Sequence, residues 1–386
     1  MAKPNEDSRI VVPFLPGLSH ISLVKLAVSL FEDLGGFKSN IRFTGIQTEN
    51  SAAHIEFFEE DKEGNYKTTK KDLDFVPALL RKKVLEAIEG LQNASQHWKQ
   101  YHSIFLELKD ENITFHWRFD GIIDTIKTVQ HLVLDKHILI RKRFRIACRY
   151  CLVESILKLW SEMGGFSTIE HDETSYSPME QFWIKWMYQR CPKPWRQVAV
   201  EYFKHGRGYP LHQLVRYSNF FPFEQPEDRR RNLFHVEIID GDDLLLCLYT
   251  LTKEEGLLER GKYALKVLGL YLKWPLQILF LETAEKLRNY IDYRDFMRLL
   301  YSIFAQKSLC DDFDYHELFE TFWGGSPNIF QYIAKQDPHL NKTIDLWLEK
   351  MRQRREAFDN LRITCDQRFG SSQRRKRRKE LGDCIL

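Results

Sequence analysis

Pro77-Ala78-Leu79-Leu80-Arg81-Lys82-Lys83-Val84-Leu85-Glu86-Ala87-Ile88-Glu89-Gly90-Leu91 sets the texture of most of the chain. Leu79, Leu80, Val84, Leu85, Ile88 and Leu91 recur at three- and four-residue steps with Lys and Glu between them. That period lines one face of an α-helix with apolar groups and leaves the other to water. Successive segments repeat the pattern, and helices are expected over 77–93, 95–109, 122–134, 141–163, 178–190, 194–205, 209–218, 241–252, 261–272, 275–290, 292–306, 314–323, 326–335 and 339–364. Glycine and proline punctuate them at Gly164-Gly165, Pro192, Gly206, Gly208, Pro222, Pro226, Gly324-Gly325 and Pro338.

Upstream the pattern is less regular. A helix is expected from His20 to Leu34, with Leu23, Leu26, Ala27 and Leu30 on its buried face and Gly35-Gly36 as its stop. Arg42–Gln47 and Ala53–Phe58 alternate like strands and suggest a short β-hairpin, while the polar stretch Glu59–Lys71 around Gly64-Asn65 reads as an exposed turn or loop. The expected organisation is an irregular N-terminal segment (1–76), a helical repeat-like domain (77–364) and a flexible basic tail (365–386). The fold class is mostly all-α, an array of antiparallel helix pairs.

Short amphipathic helices joined by short turns bury their stripes against sequence neighbours, either in a bundle or in a solenoid with a repeat of roughly 30 to 47 residues. Two echoes favour the solenoid. Leu157-Lys158-Leu159-Trp160 is followed later by Leu270-Tyr271-Leu272-Lys273-Trp274, and Trp117 precedes Trp160 at two-helix repeat spacing. The stretch from Phe144 to Trp160, with Leu272-Lys273-Trp274-Pro275-Leu276 and Phe280-Leu281-Glu282, resembles degenerate ankyrin-like α-helical repeat proteins over residues 110–340. The ankyrin Thr-Pro-Leu-His turn is absent. The resemblance implies an α-solenoid and no activity.

The composition is that of a folded chain: 43% of the 386 residues are hydrophobic and 13% aromatic, with a formal charge of +3. That charge is uneven. Lys350–Lys379 holds twelve Lys or Arg against Glu356, Asp359 and Asp366, which leaves the preceding residues net acidic. Apolar runs such as Asp243–Leu251 and Leu265–Leu281 are too short or too interrupted to span a membrane, so no membrane span is expected. Seven scattered cysteines suit a reducing compartment, and the chain is expected to be intracellular, cytoplasmic or nuclear.

The search for chemistry returns mostly structural readings. Cys148 and Cys151 have Cys-x-x-Cys spacing, but Cys191, Cys247 and Cys310 are isolated, and the flanking Phe144, Ile146, Ala147, Leu152 and Ile156 mark an apolar helix face. They read as core cysteines. Gly206-Arg207-Gly208 lacks a phosphate-loop Lys-Ser/Thr, His97/His102 and His131/His137 lack ligand spacing, and no Gly-x-Ser-x-Gly elbow occurs. Asp240-Gly241-Asp242-Asp243 and Asp311-Asp312-Phe313-Asp314 read as helix caps. No catalytic residue, metal ligand or cofactor is therefore expected, and the chain reads as a non-enzymatic scaffold for a protein partner. The remaining candidate is Arg374-Arg375-Lys376-Arg377-Arg378-Lys379, suited to a nuclear import receptor or, as the alternative function, to nucleic acid.

Overall fold

The computed structural model describes residues 14–33, 41–49, 52–60, 66–72, 75–106, 113–165, 176–189, 193–205, 216–234, 241–251, 263–310 and 312–356. They are mostly helical and fall into two compact units, Met1–Ile291 with Ser308–Phe313, and Asp292–Lys307 with Asp314–Leu386.

In the first unit α1 (Leu18–Asp33) precedes the strands β1 (Ile41–Glu49), β2 (Ala52–Glu60) and β3 (Tyr66–Asp72), then α2 (Ala78–Leu106). The strands form an antiparallel sheet in the order β1-β2-β3. The expected hairpin thus gains a third strand, drawn from the stretch read as a loop. β3 lacks apolar alternation, which is why periodicity misses it. The register sets Glu59 opposite Lys67 and Glu56 opposite Lys70. The register of β1 shifts between Phe43 and Ile46, so that these two face Phe57 and Ile55. A bulge at Thr44-Gly45 restores the two-residue phase and keeps the apolar positions of both strands in step.

The helices that follow are α3 (Thr125–Leu134), α4 (Ile140–Arg149), α5 (Val153–Glu162), α6 (Pro178–Gln189), α7 (Trp195–His205), α8 (Pro226–Phe234), α9 (Gly241–Tyr249), α10 (263–270) and α11 (Phe280–Leu287). Boundaries move where local chemistry outweighs periodicity. The helices expected over 77–93 and 95–109 are one, because Asn93-Ala94-Ser95 contains no breaker and the Ser95 hydroxyl donates back to the Gln92 carbonyl at 2.8 Å. The helix expected over 141–163 is two. Leu152 N–H returns to Ala147 O and Cys151 N–H to Cys148 O, a Schellman close with Cys151 left-handed at φ 56° where glycine is usual. Pro226, read as a breaker, instead opens α8, a position at which its missing N–H costs nothing. Segment 275–290 opens and closes with 3-10 turns, Leu276–Leu279 and Arg288–Tyr290, around α11.

The sequence echoes do not fall on equivalent structure. Trp117 lies in an extended bridge to Ile123 whereas Trp160 lies in α5, and Leu272–Trp274 follows the end of α10.

The packing of α1 on α2 organises the start of the chain. Ala27, Leu30 and Phe31 of α1 meet Val84, Ala87, Ile88 and Leu91 of α2. Trp274 packs on the same cluster. Its indole stacks on His20 of α1 with centroids 5.8 Å apart, while the His20 ring nitrogen bonds the Asp120 carbonyl at 2.9 Å. A methyl group built at Gly90, in mid-α2, would lie 2.4 Å from the indole, and one at Gly121 (φ 93°) would lie 3.1 Å from it. Gly90 is therefore a contact surface for Trp274, which explains a residue of low helix propensity in a helix interior.

The second unit holds α12 (Tyr293–Leu309) up to Lys307, α13 (Tyr315–Gly324), α14 (Asn328–Gln336) and α15 (338–356). Its core is aromatic: Phe304 meets Trp347 at 4.6 Å and Phe319 at 5.3 Å, and Phe296 meets Phe322 and Phe330. Asp314 caps α13 through Glu317 N–H at 3.2 Å, as its position before an apolar helix implies. Asp337 caps α15, accepting from His339 and Leu340 N–H at 2.9 and 3.0 Å, with Pro338 in the first helical position.

Gly90→Ala tests the Trp274 contact. Helix propensity alone would raise stability by about 1 kcal/mol, whereas overpacking against a rigid indole costs about 1–3 kcal/mol. Thermal unfolding should show a net loss.

Candidate functional site

The six basic residues Arg374, Arg375, Lys376, Arg377, Arg378 and Lys379 lie outside the described residues. The candidate chemistry among the described residues is concentrated in the first unit, where buried polar groups gather around the α4–α5 turn, the start of α6 and the turns at 216–224.

Cys148 lies inside α4 and Cys151 at its left-handed close, so the Cys-x-x-Cys spans a helix end. Both thiols are free and buried, and burial pushes both up. A protonated thiol is a poor nucleophile and a poor metal ligand. The backbone here is also occupied, since the Cys148 carbonyl accepts from Trp183 Nε1 at 3.0 Å. Among the described residues no group of three or more His, Cys, Asp or Glu is placed to hold a metal ion.

His102 is buried in α2 among aromatic rings. It lies 4.2 Å from Trp98 between ring centroids, and its Nδ1 shares a hydrogen bond with the Tyr150 hydroxyl. Its Nε2 is buried without a hydrogen-bond partner. Burial, with the positive charges of Arg216 and Arg149 nearby, lowers its pKa to about 3 and keeps the ring neutral.

Arg216, left-handed at φ 66°, opens the 3-10 turn Tyr217–Asn219 and places its Nε 3.8 Å from Asp243. The Asp243 carboxylate accepts from both the backbone N–H and the hydroxyl of Ser218. The sequence reading of this acidic run as a local cap is thereby refined. Asp243 ties the start of α9 to a turn 25 residues earlier, and Asp240 lies outside the described residues. Next in the chain, Tyr217 donates to Glu224, whose other oxygen accepts from Asn232 at 2.8 Å. A third buried carboxylate, Glu180 of α6, receives Arg145 at 3.5 Å and Arg141 at 3.9 Å, and Arg141 also lies over the Tyr176 ring. Glu180 and Ser177 close a reciprocal capping box at the start of α6.

Asp243, Glu224 and Glu180 thus join helices to turns through partners of their own chain. These contacts hold the turns, and at Glu180 only Oε2 is hydrogen-bonded, the buried Oε1 having the Arg141 charge 3.9 Å away.

A different feature of α4 escaped the sequence reading. Arg141-Lys142-Arg143-Phe144-Arg145 carries four cations in five residues, and the interval Asp124–Arg149 holds seven Lys or Arg against Asp124 and Asp135. Whole-segment charge averaged this run away. Protein-family models, curated proteins and solved structures offer no match to the chain.

His102 gives the first unit an acid dependence. Its folded pKa lies below the unfolded value, so its contribution is complete above pH 6.5 and is lost as pH falls towards 3. The slope is about 1.4 kcal/mol per pH unit. Asp242, pushed up to about 6 by burial, acts in the opposite direction between pH 6 and 3.8. The difference between the wild type and His102→Gln isolates the histidine. Denaturant unfolding should show the wild-type advantage shrinking by roughly 3 kcal/mol between pH 7 and 4, and a constant difference would contradict the assignment.

Proposed function

We propose that the chain is a non-enzymatic protein–protein interaction scaffold of paired helices, working inside the cell. The observation that carries this reading is the outer face of α14. Ala334 is its buried residue, while Ile329 and Tyr332, one turn apart, are 58% and 63% exposed. The helix is held by other means: Phe330 packs on Phe296, and the Gln331 amide donates to the Trp323 carbonyl at 2.8 Å. An aliphatic and a tyrosine side chain are thus presented by a helix whose placement does not depend on them. Tyrosine is among the residues that carry most binding energy at protein interfaces. The paired-helix architecture is supported by packing between chain neighbours, α1 with α2, α3 with α4, α4 with α5 and α6 with α7.

The double variant Ile329→Ser/Tyr332→Ser tests the face. Unfolding stability should stay within about 0.5 kcal/mol of wild type, while the set of proteins that co-purify with the chain should lose members. An unchanged set would reject this face as the binding surface.

The run Arg374–Lys379 supports a second reading, a nuclear protein whose basic tail meets an import receptor or nucleic acid. Replacing its six cations with glutamine should shift a tagged chain out of the nucleus, and unchanged distribution would count against import.

A further inference from the structure

We propose that the corner between α3 and α4 docks on an anionic membrane surface, a role separate from the scaffold reading and carried by other residues. The corner is the loop Asp135–Leu139 with the helix ends beside it. Leu134, the last residue of α3, is 64% exposed and Leu139, the N-cap of α4, is 77% exposed, while Ile138 between them is buried at 4%. Lys136 and His137 are exposed in the same loop.

The loop is built rather than slack. The Asp135 carboxylate accepts His137 N–H at 2.9 Å and its carbonyl accepts Ile138 N–H at 3.2 Å. Arg143 reaches back from α4, donating through Nε to the Ile138 carbonyl at 3.1 Å and through Nη1 to the Val133 carbonyl at 3.4 Å. Both acceptors are neutral, so these bonds order the loop and leave the guanidinium charge in place.

Two features of the start of α4 run against the stability of the helix taken alone. An N-cap normally carries Ser, Thr, Asp or Asn to accept the first free N–H groups, yet Leu139 makes no side-chain cap bond. The first turn of a helix favours acids because its peptide dipoles leave it partly positive, yet α4 has no acid there and places Arg141, Lys142 and Arg143 in its first four residues. Leu139 thus serves neither core nor cap, and the cations oppose the helix dipole, with Arg141 facing the Glu180 carboxylate and Arg143 the loop carbonyls.

An anionic bilayer accounts for the exposed Leu134 and Leu139 together with the exposed Lys136 and the positive start of α4. Leucine side chains enter the boundary between headgroups and acyl chains, and neighbouring cations are drawn to the negative surface. Phosphate of a nucleic acid would use the cations but gives the two leucines nothing to enter.

The test uses the full-length chain with Arg374, Arg375, Lys376, Arg377, Arg378 and Lys379 replaced by glutamine, so that tail electrostatics do not contribute. This protein should co-sediment with phosphatidylcholine vesicles containing about 30% phosphatidylserine, and far less with phosphatidylcholine alone. Leu134→Ser/Leu139→Ser should lower the binding by at least about tenfold. Leu139→Ser alone should also raise the melting temperature, because serine can cap α4. Loss of binding with gain of stability is an outcome that a packing role for Leu139 does not produce. Lys136→Glu should weaken binding to the anionic vesicles and leave folding intact. Failure of the tail-neutralised chain to bind these vesicles overturns the proposal, as does equal binding by the double leucine variant. Duplex DNA bound with wild-type affinity by that variant, and competing with the vesicles, would assign the corner to nucleic acid instead.

Discussion

Trp274 is the contact on which the first unit depends. One rigid indole meets His20 of α1, Gly90 of α2 and Gly121 of the turn before α3, three segments far apart in the chain. Each of these neighbours is shaped to it. Gly90 yields the volume that any side chain would occupy, and Gly121 lies close to the ring edge with a positive φ suited to glycine. His20 adds a polar bond to the Asp120 carbonyl and so ties α1 to the same turn. A core closed by one large planar group tolerates little change around it, because interiors are close-packed and cannot absorb an extra methyl group without displacing something.

Beyond this contact, turns are fixed by buried carboxylates. Asp243 gathers Ser218 and Arg216, Glu224 gathers Tyr217 and Asn232, and Glu180 gathers Arg141 and Arg145. A buried carboxylate is costly unless its oxygens are matched, and matched ones specify a unique loop path. This accounts for segments such as 216–234, where short turns replace long helices and yet the backbone is held. Asp243, which reads as part of a cap in the sequence, holds the turn at Ser218, and the Cys-x-x-Cys lies at a buried helix end.

The helical texture was legible because apolar residues recur at the helical period, and most helix cores fall where that period places them. Misplaced boundaries share a physical cause. Cys151 ends α4 in a conformation usual for glycine, so no glycine marks the break. Pro226 starts a helix because the first turn needs no N–H from it. β3 joins β2 through an antiparallel ladder, and a polar strand of that kind carries no apolar alternation to read. Of the candidate surfaces, Ile329 and Tyr332 look in the sequence like any other apolar helix positions, and only their exposure separates them from core. The basic run of α4 was legible in principle, but averaging charge over the whole body concealed it.

The sequence by itself determined the helical period, the cap at Asp314 and the concentration of positive charge beyond Lys350, since each rests on residues near one another in the chain. Tertiary structure decided which glycine faces Trp274, which carboxylate holds which turn, and which leucines meet solvent at Leu134 and Leu139. Those outcomes depend on contacts between residues from several to well over a hundred positions apart, and local periodicity carries no record of them.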